Sequence, residues 1–207
     1  MDRARLNIIA IGLGQVEINT AIKTRIGKDS PDEFYRLMEI YNQYPLQELI
    51  IHPRIQKDFY RNTPNWESFK LAVSVSKNPV CYNGDIFKSK DYERLKQMFP
   101  SVERVMLGRG LVANPMLAGE IQGNGCLKKE PLREFHDLIL SGYQETISGD
   151  RNVLFKMKEL WAYLITTFEN GEKHGKKIQK SQNIKDYITV VEELFRNLEL
   201  KTTSDFH

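Results

Sequence analysis

The sequence predicts a mixed α/β chain, with about four C-terminal strand–helix units of a TIM-type (β/α) barrel followed by an all-helical domain. Three observations predict it. Four short apolar runs, residues 20–27, 49–54, 79–85 and 104–110, recur at intervals of roughly 25 to 30 residues. Each is followed by a stretch with helical periodicity, the signature of parallel strands joined by right-handed crossovers. Beyond Gly125 the strand-like runs stop and only helical periodicity continues.

Taken in order, residues 1–18 stand apart. Gly12-Leu-Gly14 has the first two glycines of a dinucleotide-binding turn, but the third is missing and no complete unit precedes it. After the first strand, Ser30-Pro-Asp-Glu-Phe predicts a helix start, with Ser30 as N-cap and Pro31 at the first helical position. Phe34, Leu37, Met38 and Tyr41 continue it at three- and four-residue spacing. Trp66, Phe69, Leu71 and Val73 predict the second helix, and a capping Ser89 opens the third. The strand–helix region is placed at residues 19–125 and the helical domain at 126–207. In the helical domain, Pro131 to Tyr143 is one helix. A second, capped by Asp150, carries Val153, Leu154, Met157, Leu160, Trp161 and Leu164. Asn170-Gly171 separates it from a basic run, and Ile184 to Leu198 is the last helix.

The 207 residues, 41% hydrophobic and 28% charged, suffice for a sizeable core, and a net charge of +3 decides little as a total. There is no apolar run of the length a membrane span needs, so no membrane association is expected. The first ten residues are too short and too polar for a secretory signal. Cys81 and Cys126 form no disulfide or metal-ligand pattern, so no metal is expected and the chain reads as cytoplasmic with reduced thiols. A closed barrel typically takes about 200 residues or more, and only the first 125 or so are available for it here. Half a barrel would expose unpaired strand edges, which predicts self-association through the open edge.

The polar residues at the strand ends are the candidates for chemistry, because the C-terminal ends of barrel strands form the working face. Asn83-Gly84-Asp85 and Gly108-Arg109-Gly110 follow the last two strands, where barrels commonly hold a phosphate. Glycine lets the backbone approach an anion closely, and Arg109 offers a fork of donors. Either string alone reads equally as a tight turn; two at successive strand ends favour a phosphate site. Lys23 lies on an alternating strand, where a buried ammonium without a partner is costly. It reads either as a salt-bridged lysine or as a charge set against an electron-rich cofactor ring. His52 reads as a hydrogen-bonded core histidine or as a donor to ring or substrate. In residues 151–180 seven Lys and Arg stand against three Asp and Glu, concentrated at Lys173, Lys176, Lys177 and Lys180 with Arg151, Lys156 and Lys158 upstream. That pattern suits either a solvated helix face or a phosphate backbone.

Together the strings Ile22-Lys-Thr-Arg-Ile-Gly27, Ile51-His-Pro-Arg54, Tyr60 with Trp66, Tyr82-Asn-Gly-Asp-Ile86, and Val105-Met-Leu-Gly-Arg-Gly110 with Asn114-Pro115 carry a resemblance. From about Asn19 to Leu117 the chain resembles the flavin-dependent tRNA-dihydrouridine synthases. These enzymes reduce uridine to dihydrouridine in tRNA with FMN, itself reduced by NADPH, on a β/α barrel followed by a tRNA-binding helical domain. The resemblance implies that Lys23 and His52 contact the flavin ring, and that Asn83, Gly84, Asp85, Gly108 and Arg109 surround its phosphate. It also implies that Arg25 and Arg54, with Lys173, Lys176, Lys177 and Lys180, face the tRNA.

The departures are specific. Residues 1–18 are unmatched, and Pro53 stands where the family usually has glycine. Neither Cys81 nor Cys126 occupies the position of the family's proton-donating cysteine, which belongs to the first half of the barrel. The expectation is therefore a truncated synthase with no catalytic cysteine of its own. The alternatives are a non-catalytic tRNA-binding remnant, or another FMN barrel oxidoreductase acting on a small molecule.

Overall fold

The computed structural model describes residues 19–59 and 61–201. Gly12-Leu-Gly14 and Tyr60 lie outside the described residues. The architecture is mixed α/β, with a four-strand parallel sheet and many helices. The chain divides into two compact units, residues 1–82 and 83–207, so residues 83–125 share a unit with the helices that follow.

In the first unit, strand β1 (Ala21–Gly27) leads to helix α1 (Glu33–Tyr41). Strand β2 (Glu48–Ile55), helix α2 (Trp66–Val75) and strand β3 (Val80–Tyr82) follow. β1 and β2 pair in parallel from Ala21–Glu48 to Arg25–His52, then shift register to Gly27–Ile55. β2 and β3 pair through Leu49–Val80, Ile50–Cys81 and Ile51–Tyr82. Register partners in a parallel pair project to the same side, and successive residues alternate. One face therefore carries Thr24, Ile51 and Tyr82. Tyr82 stacks on Trp66 at 5.4 Å and meets Phe69 edge-on at 4.8 Å, and the Thr24 hydroxyl lies 2.9 Å from that of Tyr41. This is the face covered by α1 and α2. The other face carries Lys23, Arg25, Ile50, His52, Arg54 and Cys81.

The first helix starts later than Ser30-Pro31 predicts. Asp32 is the N-cap, and the turn is organised by the Glu33 carboxylate, which accepts from the backbone N–H groups of Lys28, Asp29 and Ser30 at 3.2, 2.7 and 2.8 Å. Those bonds, that from Ser30 foremost, hold the carboxyl below its usual range. In α2 the buried residues are Phe69 and Ala72, with Leu71 and Val73 only half-buried. Asn65 caps it by accepting from Ser68 N–H at 2.9 Å.

The second unit comprises α3 (Ser89–Met98), the two-residue strand β4 (Arg104–Val105), α4 (Arg109–Ala113) and α5 (Leu117–Ile121). Then come α6 (Lys129–Thr146), α7 (Asp150–Leu164), α8 (Glu172–Lys180) and α9 (Ile184–Asn197). The capping serine expected for α3 is instead its first helical residue. Lys88 is the N-cap, and Asp91 accepts from Phe87 and Lys88 N–H at 2.9 and 3.0 Å. Likewise Gly149, not Asp150, is the N-cap of α7. The strings 79–85 and 104–110 are strands only near their starts; Gly84 and Gly108 lie beyond the strands, and Gly110 lies inside α4.

The helical core is set by three- and four-residue spacing: Leu132 and Leu140 on α6, Val153, Leu154, Met157, Trp161 and Leu164 on α7, and Ile184, Tyr187, Val191 and Leu194 on α9. Each full burial of such a side chain contributes about 1.5–3 kcal/mol. Its centre is polar. Trp161 Nε1–H donates to the Tyr187 hydroxyl at 2.7 Å, the Tyr187 hydroxyl bonds to His136 Nε2, and His136 Nδ1 lies 2.8 Å from Asp137 Oδ1. Burial pushes the Tyr187 phenol up and the His136 imidazole down. A bridge between Phe168 and Leu200, with Lys201 N–H on Thr167 O at 2.8 Å, closes the unit.

Candidate functional site

On the cationic face of the first unit, His52 and Arg54 are 6% and 2% exposed. Arg54 Nη1 lies 3.3 Å from His52 Nε2, and Arg54 Nε donates to Asn62 O at 2.6 Å. A guanidinium can only donate, so His52 Nε2 is the acceptor and the ring proton of the neutral imidazole sits on Nδ1. Arg25, the register partner of His52, donates from Nη1 to Ile55 O at 2.9 Å. A buried cation is tolerated only when well hydrogen-bonded, and these contacts fix both arginines. Lys23 is exposed on β1, so the desolvation cost anticipated for it does not arise.

The loops beyond these strands are tied to one another. Lys57 Nζ lies 2.8 Å from Asp29 Oδ1, linking the segment after β2 to that after β1. Asp58 accepts from Ile55 N–H at 2.9 Å, and Asn65 N–H donates to Pro53 O at 2.7 Å.

In the second unit the two glycine strings come together. Asn83 Nδ2 donates to Met106 O at 2.7 Å, fastening the end of one string to the other. Arg109 Nη2 meets Asp85 Oδ1 at 2.6 Å, and its guanidinium lies 5.5 Å from the centre of the Phe87 ring. The glycines differ in kind. A Cβ on Gly110 would lie 2.1 Å from Ile86 O, so that glycine is required by packing, whereas a Cβ on Gly108 would meet nothing within 4 Å. The open space is thus at Gly108, beside an arginine whose direction is set by a carboxylate. This donor set suits an anion, with Gly108 and Arg109 at its edge and Asn83 and Asp85 acting as braces.

The basic run forms α8. Lys173, Lys176, Lys177 and Lys180 are exposed along one side of it, while His174, Gly175 and Ile178 turn inward. Lys177 is engaged with Glu193 at 3.0 Å. Lys176 and Lys180 line a groove of about 440 Å³ with Trp161, Ile165 and Glu172. Of the upstream cations, Lys158 donates to Ser181 O at 2.7 Å and Lys156 pairs with Glu159 at 2.9 Å. Cys81 is buried within β3, and Cys126 is exposed between α5 and α6. No group of three or more His, Cys, Asp or Glu among the described residues is arranged to hold a metal ion, and no described helix is long and apolar enough to cross a membrane.

Sequence reasoning missed two features. The contacts of Asn83 with Met106 O and of Asp85 with Arg109 are not announced, because the partners lie 23 and 24 residues away. The loop after β2 also has a left-handed backbone at Phe59, which residue type does not announce.

Comparison with known proteins gives one family. The model for dihydrouridine synthases matches residues 7–199, starting twelve residues before Asn19, where the resemblance is expected to begin, and so taking in most of the segment expected to be unmatched. The tRNA-dihydrouridine(16) synthase of Pseudomonas putida is 31% identical over 117 residues, covering 56% of this chain and 36% of the relative. That of Pseudomonas syringae pv. tomato is 30% identical over 105 residues, covering 51% and 33%. A probable tRNA-dihydrouridine synthase of Rickettsia bellii is 31% identical over 138 residues, covering 64% and 42%. The chain thus spans about a third to two fifths of the length of these relatives.

Proposed function

This chain belongs to the dihydrouridine synthase family, and from that premise we propose that it serves the reduction of uridine to dihydrouridine in tRNA, as an oxidoreductase using FMN and NADPH. The observation that carries the reading is the open space at Gly108 beside Arg109, whose guanidinium is steered by Asp85. A flavin phosphate is the family ligand that such a cradle suits.

In this reading Gly84, Gly108 and Arg109 hold the phosphate, while Asn83 and Asp85 keep the two loops and the guanidinium in place. Lys23 and His52 are assigned to the isoalloxazine ring. Because Arg54 occupies His52 Nε2, the imidazole is presented in one orientation. Bound FMN, recharged by NADPH, would supply the hydride. The target uridine would have to leave the base stack to be reached. Arg25 and Arg54 on the sheet face, with the lysines of α8, are assigned to the tRNA. The domain reading keeps residues 19–125 as the barrel-type portion and 126–207 as the tRNA-directed portion. Action on tRNA goes with a cytoplasmic location. The proton donor is not assigned to Cys81 or Cys126, since one is buried inside a strand and the other sits between helices.

That last point favours a second reading, in which the chain binds tRNA without catalysing its reduction. Two measurements on the purified chain separate them. Flavin absorbance and retention of FMN on gel filtration support the first; salt-dependent tRNA binding with no flavin retention supports the second. Dihydrouridine formed in a tRNA transcript with NADPH, detected by mass spectrometry, decides for the enzyme, and absence of both flavin and tRNA binding overturns both.

A further inference from the structure

Phe59 follows a 3-10 turn (Gln56–Asp58) at the C-terminal end of β2 and has φ 43° and ψ 34°, the left-handed region. The residue is 71% exposed. A bulky residue in that region is strained and persists only where its surroundings over-determine it. Here they do. Asp58 uses one carboxylate oxygen to accept from Ile55 N–H at 2.9 Å and the other to accept from Asn62 Nδ2 at 2.5 Å. Its carbonyl accepts from Arg61 N–H at 2.8 Å, and Asn62 O accepts from the buried Arg54 at 2.6 Å. One carboxylate and one buried guanidinium thus clamp the loop on both sides of Phe59 and lift its ring into solvent.

Packing among the described residues does not explain an aromatic residue this exposed. Two residues before it stands Lys57, paired with Asp29 at 2.8 Å, and two residues after it the exposed Arg61. An exposed aromatic residue beside the cation of Arg61, at the strand end that also bears His52 and Arg54, has the chemistry that receives an unstacked nucleobase with its phosphate. We infer that Phe59 is a stacking platform for a nucleobase of the RNA substrate. The inference rests on the tRNA reading above and adds to it a residue that neither the motif strings nor the basic helix contains.

The test uses the full chain and an unmodified tRNA transcript. Phe59→Ala and Phe59→Gly should weaken binding by roughly five- to a hundredfold, the range of a lost base–aromatic stack. Phe59→Trp should retain affinity, and its added indole emission should be quenched by the transcript. Phe59→Gly should melt no lower than the parent, because glycine accepts the left-handed backbone without strain. Parent-like binding by the Ala and Gly variants overturns the stacking role alone and leaves the tRNA reading standing. So does an unchanged indole emission from Phe59→Trp, a shift in oligomeric state in place of a loss of RNA binding, or a marked drop in the melting temperature of the Gly variant. Failure of the parent chain to bind the transcript overturns the tRNA reading and this inference with it.

Discussion

Arg109 and Asp85 form an ion pair at 2.6 Å, with both side chains about a third exposed. A carboxylate beside the proposed anion site would repel the anion, so in that proposal its part is to orient the guanidinium. On that account Arg109→Ala should lower FMN affinity by roughly ten- to a hundredfold, the equivalent of one charged hydrogen bond. Asp85→Asn should lower it by several-fold, the smaller effect of a guanidinium that is present but less well aimed. Titration by quenching of flavin fluorescence measures both. Tighter binding by Asp85→Asn would show that repulsion outweighs orientation and would remove Asp85 from the site.

The two neighbouring glycines make different predictions. Gly108→Ala places a methyl in open space, but on a backbone of φ −126° and ψ −103° that lies between the α and β regions, so the melting temperature should fall modestly while FMN affinity falls. Gly110→Ala drives a methyl into Ile86 O and Leu117. It should cost on the order of 3 kcal/mol or more, in the range of severe overpacking. Thermal melting and flavin titration of the two variants side by side distinguish a ligand cradle from a packing constraint.

The contrast shows what is legible in the chain. Residues such as Ile51, Leu132 and Val191 announce their burial through periodicity, because strand and helix spacing are local properties. Cap positions differ by one or two residues at Ser30, Ser89 and Asp150, since a neighbouring residue takes the role expected of each. Nothing local indicates that Asn83 holds Met106 O, or that His136 and Tyr187, 51 residues apart, share a hydrogen bond. The left-handed backbone at Phe59 is equally silent, because the expectation for that region attaches to glycine and asparagine rather than to phenylalanine.

The buried Tyr187 hydroxyl gives a stability prediction. It takes the Trp161 N–H and serves His136 Nε2, so Tyr187→Phe leaves two buried polar atoms without that partner. The expected loss is about 1–3 kcal/mol, the penalty for stranded buried polar groups. It should appear as a lower urea midpoint at unchanged slope. A variant as stable as the parent would mean that the packed ring, and not its hydroxyl, is what the core uses.

The same histidine sets a pH dependence. Burial, opposed by the hydrogen bond with Asp137, holds the His136 pKa below the ordinary value. In the unfolded chain histidine titrates near its usual value of about 6.5. Between that value and the lowered folded one, the unfolded chain binds a proton that the folded chain does not. Stability from this group is therefore complete above about pH 6.5 and is lost as pH falls through the window below it. His174, lowered by its own burial and by Lys177, contributes with the same sign. Urea midpoints from pH 8 to pH 5 should fall for the parent, fall less for His136→Asn, and less again for the double variant with His174→Gln. A parent midpoint that rises on acidification would contradict the direction of both shifts.

The lysines of α8 should not act alike. Lys177 is held by Glu193, whose carboxyl is lowered by that contact, so replacing it removes a cation already partly neutralised. Lys173, Lys176 and Lys180 share the exposed side of the helix. If each meets one phosphate, neutralising all three to glutamine should reduce the slope of log K against log salt by about 2.7, at about 0.9 per phosphate contact on a duplex. Lys177→Gln alone should shift it by well under about 0.9, the value of one full contact. Filter binding of a tRNA transcript at several salt concentrations yields both slopes. An equal loss from all four single variants would mean that RNA displaces Glu193, whereas an unchanged slope in the triple variant would move the tRNA contact off this helix altogether.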